Sequence, residues 1–257
     1  MIGIVVVSHS PALARAAVEL ALEMVPHGRP PIALAAGTGD GMIGTDAVAV
    51  ANAIDEVAVP DGVLVIVDLG SAVMSAEMAF DLVTTTVPVR LSSAPFVEGL
   101  LAAIVTAAGG ASLVEVDREA RGALQPKIGM LGGTDDSEPM AAVAEPAAAP
   151  GSDGSGPLRT SSAGYGPVLV TVLMPLGLHA RPAATLVSTA AGYDAKLTVA
   201  NQRTGAPAVA ANSLIGLLSL GAGVGDVLEI TASGAQSGEA LEAVVALFAD
   251  GFGELQD

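Results

Sequence analysis

Two of the three histidines in this 257-residue sequence share one local setting. His9 follows directly on an apolar run at residues 2–7. Ser10 and Pro11 come next, with the residue types of a helix cap and a first helical position. His179 lies in the segment PLGLHARPAA, downstream of a second apolar run at 168–173, and Pro182 again suits a first helical turn. A helix N-terminus leaves backbone N–H groups unpaired and carries positive partial charge, which makes it an anion site. The same field disfavours a proton on a nearby imidazole and leaves the ring neutral and nucleophilic. A neutral imidazole beside an anion site has the equipment to attack a phosphoryl group and hold the product. Arg181, two residues past His179, adds a charged donor.

A third apolar run, 62–67, ends in Asp68-Leu69-Gly70-Ser71. In a parallel sheet, ligands bind beyond the carboxyl ends of strands, and both His9 and Asp68 fall at such ends. A carboxylate there can accept from one ring nitrogen and orient the other. The loop Gly37-Thr38-Gly39 would line the same crevice. Ser10, Thr38, Ser71 and Ala180 are candidates to support a phosphate, and Ser213 reads as the cap of a short helix. His27, in VPHGRPP, reads as a solvated loop residue. A hydrolase using Ser8 or Ser10 with His9 and Asp68 is disfavoured, because sequence neighbours rarely form a triad and no nucleophile elbow is present.

Elements must position these groups. Residues 1–133 alternate, with strands at 2–7, 32–36, 62–67 and 87–91 and helices at 11–24, 45–57, 75–83 and 96–108. That pattern predicts an α/β domain of βαβ units around a parallel sheet. Residues 134–166 are rich in Ala, Pro, Gly, Ser and Asp and read as a flexible linker. Residues 167–257 mix strands at 168–173, 194–200, 208–209 and 226–232 with helices at 181–191, 213–219 and 238–249. A small α+β sheet with helices on one face is expected there.

Composition excludes several classes. Net charge is −17, which repels nucleic acid and anionic membranes, and aromatics are only 2%, too few for base stacking. Cysteine is absent, so disulfides, thiol catalysis and cysteine metal sites are ruled out, and three histidines argue against a metal centre. Mean hydropathy is +0.62, yet the most apolar stretch, 100–113, is broken by Thr106, Gly109, Gly110 and Ser112. A membrane span needs about 20 apolar residues. With no secretory leader evident, the protein is expected in the cytoplasm.

LHARPAA (178–184) resembles the active-site signature of HPr, the small phosphocarrier of the phosphoenolpyruvate–sugar phosphotransferase system. NSLIGLLSLGAGVGD (212–226) resembles that family's second helix and its exit. The resemblance implies an open-faced sandwich fold, phosphorylation of His179 on the nitrogen nearer the side chain, and stabilisation of the phosphate by Arg181. Ser213 matches a serine that a kinase modifies in some members, although Asn212 replaces the usual preceding lysine.

IVVVSHS (4–10), AAGTGDGMIGTDAV (35–48), VDLGSAVMSAEMA (67–79) and SSAPFVEGLLAA (92–103) resemble the mannose-type IIA domain, more closely its variant in the phosphotransfer subunit of dihydroxyacetone kinase. Ser10 and Leu69-Gly70-Ser71 differ from sugar-type members and favour that branch. The resemblance implies a relay from Enzyme I to His179, then to His9, then to ADP in the kinase's nucleotide-binding subunit. The regenerated ATP would serve a separate dihydroxyacetone-binding subunit. No cofactor is expected on this chain beyond phosphohistidine itself. A homodimer through the front domain is also implied. Because some relatives carry a partial Enzyme I domain after HPr, a chain ending at Asp257 is expected to use a separate Enzyme I. The alternatives are a sugar-specific IIA carrier passing phosphate to a IIB domain, and a regulatory HPr-like module that feeds no kinase.

Overall fold

The computed structural model describes residues 1–38, 42–131 and 165–255. The front domain is built on strands β1 (Gly3–Ser8), β2 (Ile32–Ala36), β3 (Val63–Val67) and β4 (Val89–Ser92). They form one parallel sheet in the order β2-β1-β3-β4. Side chains alternate across it, as the two-residue period of a strand requires. Ile2, Ile4, Val6, Leu64 and Ile66 face one way and pack on α1 (Pro11–Leu22) and α4 (Phe96–Ala108). Val5, Val7, Val63 and Val65 face the other way, towards α2 (Ala47–Glu56) and α3 (Gly70–Phe80). The order in which strands are added reverses about β1, because β2 lies on one side of it and β3 on the other. The crevice between the carboxyl ends of β1 and β3 is therefore the switch point at which such sheets bind ligands.

Two helices were not anticipated, α5 (Leu113–Arg121) and α6 (Gln125–Met130). The first opens with a reciprocal capping box between Ser112 and Glu115. Asp117 fixes it to β4, accepting from Ser92 Oγ at 2.7 Å and pairing with Arg90 and Arg121 at 3.2 and 3.3 Å.

The back domain is an antiparallel sheet, β5-β8-β6-β7, of β5 (Tyr165–Thr171), β6 (Lys196–Asn201), β7 (Val209–Ala210) and β8 (Val227–Ser233). Strand β5 begins two residues inside the expected linker. The rest of that linker, and Gly39 of the predicted Gly37–Gly39 loop, lie outside the described residues. Helices α7 (Ala180–Ala191), α8 (Leu214–Ser219) and α9 (Ser237–Ala249) complete the domain. Leu197, Val199, Leu228 and Ile230 point inward against Leu186, Val187, Val244 and Phe248. Thr198 and Thr231 hydrogen-bond each other at 2.7 Å across β6 and β8. Among the described residues no helix is long and apolar enough to cross a membrane.

The two domains touch. Helices α7 and α8 of the back domain rest on α4 and α6 of the front one, and the buried residues of α4, α7 and α8 join a single apolar cluster.

Asp226 anchors the 221–226 loop, which in turn receives the segment before α7 through Leu178 N–H and Ala222 O at 2.8 Å. Its carboxylate accepts from Arg203 Nε at 2.7 Å, Asn201 Nδ2 at 3.0 Å and Gly223 N–H at 2.9 Å. The hydrogen bonds from Arg203 and Asn201 lower its pKa from the ordinary 3.8 to about 2. A depressed carboxyl stabilises the fold above its unfolded pKa, and that contribution is lost as pH falls through the folded value. Asp226→Asn should lower Tm by roughly 4–8 °C at pH 7, and the difference from the parent should shrink towards pH 2. Calorimetry across pH checks both.

Candidate functional site

His9 sits where β1 ends, just before the Ser10 cap of α1. Ser10 Oγ accepts from Leu13 N–H at 3.3 Å, so it secures the helix start and does not aim at the ring. Gly37 has φ +76, and a Cβ there would stand 2.8 Å from Pro11 Cγ. The β2 loop can therefore pass close to this turn only with glycine at that position. Gly44 N–H donates to the His9 carbonyl at 3.0 Å. Thr38 lies on that loop, its N–H bonded to Met42 O at 3.0 Å, and it packs against Gly44. It supports the loop under His9.

Asp68 ends β3 directly beside this turn. Its Oδ1 accepts from His9 Nδ1 at 2.9 Å and from Leu69 N–H at 2.7 Å. Its Oδ2 accepts from His9 N–H at 2.8 Å and from Ser8 Oγ at 2.9 Å. Burial pushes this carboxyl up, but the hydrogen bonds from the His9 ring, the two backbone N–H groups and Ser8 outweigh it, so the pKa lies below the ordinary 3.8. An ionised Asp68 fixes the proton on Nδ1 and leaves the lone pair on Nε2. Ser71 Oγ lies 2.9 Å from Nε2. The helix expected to begin at Ser75 in fact starts at Gly70, although its cap residue, Leu69, offers no side-chain hydrogen bond. Ser71 therefore stands in the first turn of α3, whose unpaired N–H groups face the end where a phosphoryl group on Nε2 would sit.

His179 is itself the N-cap residue of α7. The turn before it depends on Gly177, at φ +71, where a Cβ would come within 2.4 Å of Ala222 O. Glu254, a residue the sequence did not point to, reaches the ring across 75 positions. Its Oε2 is 3.0 Å from His179 Nε2. A tight turn at Gly251–Gly253 delivers it, with Phe252 at φ +57 and its ring held edge-on against Phe248 at 5.0 Å. A carboxylate on Nε2 leaves Nδ1 as the nitrogen available for chemistry, in a ring that stands at the start of α7 beside Ala180 and Arg181. The two rings thus present opposite nitrogens. The Arg181 guanidinium points towards Glu23, 4.0 Å away. Ser213 caps α8 through Gly216 N–H at 2.9 Å and donates to Glu119 Oε2 at 2.8 Å. His27 stays exposed on the loop after α1. No cluster of three metal-binding side chains occurs among the described residues.

Fold and site define a protein of the phosphotransferase system. Residues 3–117 match the family model described as the PTS system fructose IIA component, and residues 169–250 match the PTS HPr component phosphorylation site. The phosphoryl donor subunit DhaM of the PEP-dependent dihydroxyacetone kinase of Pantoea ananatis is 40% identical over 99% of this chain and 51% of its own length. The phosphoryl donor subunit DhaM of PEP-dependent dihydroxyacetone kinase 2 from Listeria innocua is 37% identical over 47% of this chain and 93% of its own. Phosphocarrier protein NPr of Escherichia coli is 45% identical over 33% of this chain and 92% of its own. The chain belongs to the family of phosphoryl donor subunits of PEP-dependent dihydroxyacetone kinase. It spans about half the length of the first of these relatives.

Asp68→Asn cannot accept on both heads of its side chain. It must either face a donor with its own N–H₂ or turn the ring to the wrong tautomer. Transfer through His9 should slow by roughly 10²-fold or more while the domain stays folded, measured by rapid quench and circular dichroism. Because hydrogen bonds hold its folded pKa below the ordinary 3.8, the contribution of Asp68 should persist through the ordinary carboxyl range and be lost as pH falls through that depressed value. Glu254→Gln should slow phosphorylation of His179 in rapid-quench measurements and leave the onward transfer from already phosphorylated His9 unchanged.

Proposed function

We propose that this chain is a cytoplasmic two-station phosphohistidine relay. Enzyme I, charged by phosphoenolpyruvate, phosphorylates His179. The group then passes to His9 and on to ADP in the nucleotide subunit of a dihydroxyacetone kinase, whose other subunit holds the acceptor sugar. The observation that carries the reading is the pairing of the rings: Asp68 holds Nδ1 of His9, Glu254 holds Nε2 of His179, and each ring stands beside a helix start.

Each step exchanges one phosphorus bond for another. Nδ1 of His179 attacks the donor's phosphoryl group, and the donor nitrogen leaves with the bonding pair. Nε2 of His9 then attacks the same phosphorus and the P–Nδ1 bond breaks, with the His9 proton staying on Nδ1 against Asp68. A terminal phosphate oxygen of ADP completes the series. Such transfers need positioning and charge stabilisation more than covalent machinery, which suits sites made of helix ends and a few side chains. Arg181 serves the phosphate on His179 once it leaves Glu23, and Ser71 serves the phosphate on His9. Ser10 and Thr38 support from behind, and Ala180 contributes its backbone. Homodimerisation through the front domain completes the proposal, checked by light scattering, where a monomer would contradict it.

Incubation with phosphoenolpyruvate and Enzyme I should add two acid-labile phosphoryl groups by intact mass. His9→Ala should add one and lose all dihydroxyacetone kinase support, whereas His179→Ala should add none. Retained kinase support in His9→Ala would overturn the relay.

A further inference from the structure

The back domain is seated on the front one by a defined contact. Glu119 of α5, only 8% exposed, accepts from Ser213 Oγ at 2.8 Å and from Ile215 N–H at 3.3 Å. A Cβ on Gly122 would lie 3.8 Å from Ile215 Cγ2. At the other end of the interface, a Cβ on Gly109 would lie 3.5 Å from Ala191 Cβ. Contact therefore runs from the start of α8 to the last residue of α7, the helix that begins beside His179.

This seating keeps the two stations apart. His9 precedes the first turn of α1, and Glu23 caps its last. Twelve helical residues span about 18 Å. Arg181, next but one to His179, is paired with Glu23 at that far end. The hydrogen bonds of each ring stay within its own domain. In-line transfer requires reacting atoms at about 3–3.5 Å.

We propose that the seated arrangement is a holding state in which the front domain's α4–α5–α6 face stores the carrier domain, so that His179 reaches His9 only after the Glu119 contact opens. The proposal rests on the relay reading above. It adds that the α4–α5–α6 face is a docking surface for the chain's own carrier domain, separate from the surface around His9 that receives it for transfer. A buried carboxylate suits such a contact. While seated it takes two donors from the partner domain, and once released it is hydrated, so opening exposes no unpaired charge to an apolar surrounding.

The absence of native cysteine makes the test clean. Gly109→Cys with Ala191→Cys sets two Cβ atoms in the usual range for a disulfide, about 3.5–4.5 Å, and φ at Gly109 is −72, which any residue adopts. Gly122→Cys with Ile215→Cys provides a second, independent pair. Each variant is incubated with phosphoenolpyruvate and Enzyme I, oxidised or reduced, and the phosphoryl group on His9 is quantified by peptide mass. The expected result is an intramolecular disulfide in both pairs and at least a tenfold drop in labelling of His9 on oxidation, restored by reductant. Equal labelling of oxidised and reduced protein would overturn the holding state. Failure of both disulfides to form would overturn the seated arrangement itself. No label on His9 even in the reduced protein and the parent would instead remove the relay reading, and this proposal with it.

Discussion

A single carboxylate, Asp68, organises the front site. Leaving water costs it energy, and that cost is offset only if its oxygens are saturated with donors. Four arrive: the ring and backbone N–H of His9, the Ser8 hydroxyl and the Leu69 N–H. Three come from Ser8, the last residue of β1, and from His9 just after it, so one ionised group clamps two strand ends together and sets the ring's tautomer at once. The clamp is possible only because β1 and β3 are direct neighbours at the switch point of a parallel sheet. The carrier domain solves the same problem differently. In its antiparallel sheet the neighbour β8 starts where β5 ends, so no adjacent strand offers a carboxyl end there, and the orienting carboxylate comes from beyond its last helix, on a turn braced by two phenylalanines.

Much of this was legible in the sequence because the signals were local. An apolar run, a histidine and a helix-starting residue lie within a few positions, and the structure places His9, Asp68 and Ser71 in one cluster as their strand-end positions implied. The start of α3 was not legible. Leu69 is a poor cap by type, and Gly70 and Ser71 look like loop, yet the chain turns helical there and brings Ser71 to the ring. Helix α5 lies beyond the expected elements, and its one local signal is the capping box of Ser112 and Glu115. Its Asp117 is held by Arg90 and Ser92 on a strand distant in sequence, a pairing that local spacing does not show. Glu254 carried no local signal at all, since its meaning depends on a contact made through the folded domain.

The composition also explains how closely the helices approach. Half the residues are hydrophobic but almost none are aromatic, and alanine and glycine line many helix faces. Gly109 at the end of α4 and Ala191 at the end of α7 illustrate the result at the domain boundary. Small side chains let two backbones come near without interlocking, while a polar contact at Glu119 supplies register.

The opposite presentation of the two rings has a chemical consequence. Phosphorylation at Nδ1 of one histidine and at Nε2 of another yields positional isomers, with different nitrogen and phosphorus resonances and different rates of hydrolysis. On the proposed relay, the two stations would be written in distinguishable ink. The occupancy of each could be followed simultaneously by spectroscopy in one unmodified sample, with the isomer ratio reporting how far along the chain the group has travelled.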